Sequence, residues 1–175
     1  MILFLSIGLL VPTMAHGEAC SNQAVAAITS FIHFDLDGYR LSSKGHDEIW
    51  SLTKNNHEPP AWPIFLIKSY HIVSNTKSGR NSCIFKVKYE TYEASISEND
   101  EGLGRSRLPK VQFERYYVSC KDKCLIDLSF DKFKAPPHVS KESTISWLRA
   151  FRDIQNTDSD RHSTNDILNW VLELK

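Results

Sequence analysis

Glycine is scarce, at seven of 175 residues, and no glycine-rich stretch is present that would cradle a phosphate. No serine sits in a G-x-S-x-G elbow, so the commonest hydrolase signature is missing. Charge of one sign is lacking too: 21 Lys plus Arg balance 21 Asp plus Glu. That balance removes the basic footprint of a nucleic-acid binder and the polybasic patch of a membrane-surface protein. No apolar run approaches the ~20 residues that a membrane helix needs. Only four cysteines occur, and only Cys120 and Cys124 lie close together, so the paired clusters of a zinc site are absent. There are no internal repeats.

What is present begins at the N-terminus. Ile2 to Val11 is uncharged and apolar, and Thr13, Ala15 and Gly17 supply small residues just beyond it. This is the anatomy of a secretory signal peptide, here residues 1–19, although no Lys or Arg precedes the apolar run. Gly17-Glu18-Ala19-Cys20 has no aliphatic residue three before the cysteine, which argues against a lipoprotein. The expected location is the bacterial periplasm or the exterior, with no membrane span left after processing. Processing leaves roughly 155 residues, enough for one hydrophobic core. An even cysteine count in such a compartment reads as two bridges. Cys120 and Cys124 flank three polar residues; if these form a hairpin loop, the two cysteines are cross-strand neighbours within bridging range. Cys20 and Cys83 are then the remaining pair, and Cys83–Cys120 is the competing arrangement.

Along the chain, Ser21 to Leu36 carries a helical stripe of Val25, Ile28, Phe31 and Ile32, stopped by Asp37-Gly38. Ser42 or Ser43 caps a second helix through Leu52. Asn55 to Pro63 holds three prolines and reads as a loop. The period then changes to two. Ile64–Val73, Ser82–Ser95, Val111–Cys120 and Cys124–Phe130 read as strands. In the second of these, Cys83, Phe85, Val87 and Tyr89 share one face while Lys86, Lys88 and Glu90 share the other, one packed and one wet. Ser97 to Pro109 reads as a mobile polar loop. Ser140 caps a helix over Lys141–Ile154, Asn156 to Asn165 reads as a solvated linker, and a last helix covers Asp166–Lys175. Helices, then antiparallel strands, then helices make an α+β chain. The boundaries are 1–19 for the signal, 20–155 for the domain, and 156–175 for the linker and final helix.

Three segments sharpen this layout: Asp35-Leu36-Asp37-Gly38-Tyr39-Arg40-Leu41-Ser42-Ser43, Pro60-Ala61-Trp62 leading into Ser69-Tyr70-His71-Ile72-Val73, and Pro136-Pro137-His138-Val139-Ser140 before Trp147-Leu148. Together they resemble a group of exported bacterial proteins of the NTF2-like, or cystatin-like, superfamily, over Val25 to Leu148. The resemblance implies a cone of N-terminal helices on a curved antiparallel sheet of about four strands, with C-terminal helices. It says little about activity, because the fold hosts isomerases, dehydratases, immunity proteins and plain binding modules.

Candidate chemistry is thin. Asp35, Asp37 and Gly38 resemble the start of a calcium loop, but no acid stands at the closing position, and a helix-ending turn accounts for them. His33, Asp35 and Tyr39 resemble the acid, base and phenol groups of isomerases, yet His33 and Asp35 point apart on a helix. No metal or cofactor is expected. Trp50, Trp62, Tyr70, Tyr89 and Tyr117 are the aromatics best suited to line a cone pocket. The expectation is a non-enzymatic binding module for a small apolar molecule or a protein partner, with a homodimer through the sheet as a further arrangement. The alternatives are a small isomerase, dehydratase or hydrolase using the cone, and an immunity protein that plugs a secreted toxin.

Overall fold

A stripe of apolar side chains four and three apart carries the first helix into the core and takes one polar residue with it. Helix α1 (Asn22–Leu36) starts where the Ser21 hydroxyl accepts the Ala24 N–H at 3.3 Å. It buries Ala24, Ile28, Phe31, Ile32 and, one turn further along the same stripe, Asp35. Gly38, at φ 74°, ends it; a side chain there would meet Ser143 as well as being strained. The short 3₁₀ turn Tyr39–Leu41 then swings Arg40 back beneath Asp35. Ser42 caps α2 (Ser43–Leu52) by accepting the Gly45 N–H at 3.0 Å.

The computed structural model describes residues 20–54, 62–99, 102–127 and 136–175, without the side chains of Ser43, Lys44, His46, Asp47, Trp50 and Asn99. The expected signal peptide 1–19 and most of the proline-rich loop lie outside the described residues.

The strands are β1 (Thr53–Lys54), β2 (Ile64–Lys77), β3 (Ser82–Asn99), β4 (Gly102–Arg107), β5 (Val111–Cys120), β6 (Cys124–Asp127) and β7 (His138–Ser140). They form one curled sheet in the order β1-β6-β5-β3-β2-β7, with β4 also on β3. The class is α+β. Among the described residues the sheet has seven strands rather than about four, because three short ones add to the four expected. Two of these, β1 on β6 and β7 on β2, pair in parallel over two or three residues. Ladders that short leave no periodic trace in a sequence. The stretch from Ser97 is also not the loop its composition suggests. Ala94–Asn99 pairs with Gly102–Arg107 as a hairpin arm.

β3 is the axis of the sheet. Ser82–Glu90 pairs with β5, and from Ala94 onward it pairs with β4. At the handover Glu93 adopts φ 57°, and its N–H bonds the Thr91 hydroxyl at 2.9 Å. Odd-numbered residues Cys83, Phe85, Val87 and Tyr89 face α1 with Tyr116, Val118 and Ile126. Even-numbered Ala94 and Ile96 face the other way, into a second cluster with Ile64, Leu66, Val139 and Leu148. The two cores therefore lie on opposite faces and at opposite ends of one strand.

Helix α3 (Lys141–Ile154), capped by Ser140, and α4 (Asp158–Glu173) cover the second cluster. The expected linker to Asn165 shrinks to Gln155–Thr157, because Thr157 caps α4 and Asp158 and Asp160 complement its N-terminal dipole. That polar run is a helix start. Disulfides join Cys20 to Cys83 and Cys120 to Cys124; the Cys83–Cys120 arrangement does not occur.

Candidate functional site: a filled inner cluster and an open outer face

Under α1, polar groups meet in the first core. Arg40 Nε donates to Asp35 Oδ1 at 2.8 Å, and its Nη2 donates to Oδ2, with both side chains buried. The His138 backbone N–H also donates to the carboxylate. Burial nonetheless raises the Asp35 carboxyl to about 6, against the lowering effect of Arg40 and these hydrogen bonds. Next to the pair, the Tyr89 and Tyr116 hydroxyls bond each other at 2.8 Å. Burial pushes both phenols well above their ordinary range. Phe31 packs edge-on to Tyr116 at 5.8 Å, and Arg40 lies 5.4 Å from the Phe31 ring.

His138 is fully buried, stacks on Tyr89 at 4.0 Å and meets the edge of Phe65 at 5.5 Å. Neither ring nitrogen has a hydrogen bond of acceptable geometry, the nearby Pro136 carbonyl included. Burial, aided by the Arg40 charge, lowers its pKa to about 3, so the ring is neutral at ordinary pH. Chemically the cluster is closed. Asp35 has both oxygens engaged, the phenols hold each other, and the imidazole is sandwiched.

The expected pocket aromatics do not come together. Tyr89 lies in this cluster, and Tyr70 sits at its rim, bonding His33 Nε2 at 3.0 Å. Trp62 belongs to the second cluster, edge-on to Trp147 at 5.5 Å. Tyr117 pairs with Ile84 on the outer face, and its neighbour Tyr116, opposite Phe85, is the inward ring. The Trp50 side chain lies outside the described residues. His33 is exposed while Asp35 is buried, so they diverge, and Tyr39 stacks on Phe34 at 5.5 Å. Asp127 pairs with Lys54 Nζ at 2.9 Å at the β1–β6 edge. Among the described residues no group of three or more His, Cys, Asp or Glu is placed to hold a metal ion.

Among the described residues, clefts also open elsewhere. One of about 280 Å³ lies among Glu98, Leu103, Phe151, Asp160 and Thr164. Another of about 300 Å³ lies beside both disulfides, with Lys77 and Arg80 at its rim. Neither is lined by Asp35, Arg40, Tyr89, Tyr116 or His138.

The outer face of β2, β3 and β5 has a different character. Register places Ser69, His71, Ile84, Lys86, Lys88, Glu90, Phe113, Arg115 and Tyr117 on it. Among the described residues no helix packs over this stretch, since α3 and α4 sit on the far end of the sheet. Phe113 is 52% exposed and Val73, the extra residue of a β2 bulge, 53%. Lys86 Nζ stands 4.6 Å from the Phe113 ring centre.

Sequence reasoning missed Arg40, Tyr116 and His138. The first two had a signal: Asp35 continues the buried stripe of α1 and so demands a cation, and strict alternation from Val118 turns Tyr116 inward. No protein-family model matches the chain, and comparison with curated proteins and with solved structures returns no match.

Proposed function

We propose that this chain is an exported, non-enzymatic binding module on an NTF2-like cone, and that it docks a protein partner through the outer face of β2, β3 and β5. One contrast carries the reading. The face on which a cone would keep a ligand cavity is packed with Tyr89, Tyr116, His138 and the Asp35–Arg40 pair, while the opposite face of the same strands stands open with Phe113 exposed. Two disulfides, and no described helix long and apolar enough to cross a membrane, fit a periplasmic or secreted location. Aromatic residues and Arg, here Phe113 and Arg115, are enriched at protein interfaces relative to the rest of a surface. An immunity protein capping a toxin is one form such a module takes.

The test uses the mature chain as bait in native periplasm. Phe113→Asp, with an unchanged circular dichroism spectrum, should abolish recovery of the partner, and Leu172→Asp on α4 should not. Recovery indifferent to Phe113 would sink the reading.

A second reading, a small isomerase, has one observation in its favour: a carboxyl raised to about 6 beside two buried phenols. It requires Asp35 to leave Arg40. Turnover of an enolisable ketone, lost in Asp35→Asn, would establish it.

A further inference from the structure

The outer face sets two cations directly across from each other on neighbouring strands. Lys86 stands directly opposite Arg115. Side chains in such positions have Cβ atoms about 4.5–5.5 Å apart, and like charges there destabilise the pairing. Acids and bases are equal in number over the whole chain. Yet the only carboxylate among the described residues on this stretch of the face, Glu90, is already held by Lys88 at 3.0 Å. Among the described residues neither Lys86 nor Arg115 has a carboxylate partner.

Resting on the outer face as the binding surface, we propose that its occupant is an acidic protein segment that also carries a large apolar side chain. The partner's carboxylates lie along Lys86 and Arg115, and its apolar side chain lies against the exposed side of Phe113. Docking removes the like-charge repulsion that the free protein tolerates, and that relief adds to the direct attraction. The nature of the ring contact separates this occupant from the other polyanions. A single-stranded nucleic acid would stack bases on the aromatic face, but Lys86 covers a face of the Phe113 ring. A second copy docked through the same patch would set Lys86 and Arg115 against their own counterparts, because a two-fold interface pairs a surface with itself.

The mature disulfide-bonded chain is titrated with fluorescent synthetic peptides by anisotropy. One peptide is Glu-rich with a central Leu, one has that Leu replaced by Ser, and one is Lys-rich; an oligothymidylate is run beside them. The acidic peptide with Leu should bind about tenfold tighter than either other peptide, a difference of about 1.4 kcal/mol. Its affinity should fall with added salt, and fall about tenfold in Arg115→Glu and in Lys86→Glu, while Arg115→Lys retains it. Equal binding of acidic and basic peptides overturns the proposal. Tighter binding of the oligothymidylate, or self-association abolished by Arg115→Glu, overturns it in favour of that occupant. Phe113-dependent partner capture without acidic selectivity would retire the acidic partner and keep the docking face. Capture indifferent to Phe113 would retire the face itself.

Discussion

Phe85 and Lys86 are neighbours on β3, yet Phe85 is wholly buried beneath α1 and Lys86 stands in water opposite another cation. On the inner side, the polar groups of the cluster are paired or stacked: Asp35 with Arg40, Tyr89 with Tyr116, His138 against Tyr89. On the outer side, Lys86 faces Arg115 and the Phe113 ring is left half bare. Burial enforces the first arrangement, because an unpaired charge in the interior costs several kcal/mol. Water permits the second, because exposed like charges cost only tenths. A surface that keeps even a small repulsion is the one where a use other than stability is to be sought.

The largest effect should come from breaking the inner pair. Arg40→Met alone leaves the Asp35 carboxylate buried without its cation, and urea unfolding should show a loss of about 3–5 kcal/mol. Adding Asp35→Leu to that variant should recover most of the loss. If the double variant is as weak as the single one, the pair is not the inner face's keystone.

Acid sharpens the comparison next. In the fold His138 stays neutral down to about pH 3, whereas in the unfolded chain it takes a proton near 6.5. Its contribution to stability is therefore present above 6.5 and lost as the pH falls toward 3. Asp35 acts in the opposite sense: it is protonated near pH 6 in the fold and near 3.8 when unfolded, so its contribution is present below 3.8 and lost as the pH rises through 6. Each changes stability by about 1.4 kcal/mol per pH unit inside its window, and they largely cancel where the windows overlap. His138→Leu removes one side of that balance. Relative to the parent chain, its stability should climb by about 1.4 kcal/mol per unit as the pH falls from 6.5 toward 3. A pH-independent difference would place the imidazole in contact with water.

The smallest effect belongs to the outer face. Arg115→Thr relieves the repulsion with Lys86 and should raise stability by about 0.2–0.5 kcal/mol while weakening partner capture. A measurable loss of stability instead would mean that the arginine braces the sheet.

Alternation from Cys83 to Glu90 is readable from residue types alone, and it already separates the buried side of that half of β3 from the wet one. So are α1, α3 and the four main strands, whose patterns are long enough to show a period. The rest escaped for physical reasons. Tyr116 and Tyr117 are chemically the same residue, and only register against Phe85 decides which turns inward. Asp35 and Arg40 meet because a left-handed glycine reverses the chain between them, a three-dimensional event that a helix-ending signal does not announce. His138 is inward because a three-residue strand pairs with β2, an alignment fixed by distant contacts rather than by local propensity. The polar stretches at Ser97 and Asn156 became a hairpin arm and a helix cap because their backbones found partners, which composition does not reveal.

β3 works as a shared joist, with one load hung beneath its first half and another resting on top of its second. Neither load can be taken down while the beam stays in place, for each is fastened to side chains of the same continuous backbone. Two separate cores should thus melt as one, in a single cooperative step, and a cut in that beam near Glu93 would release both.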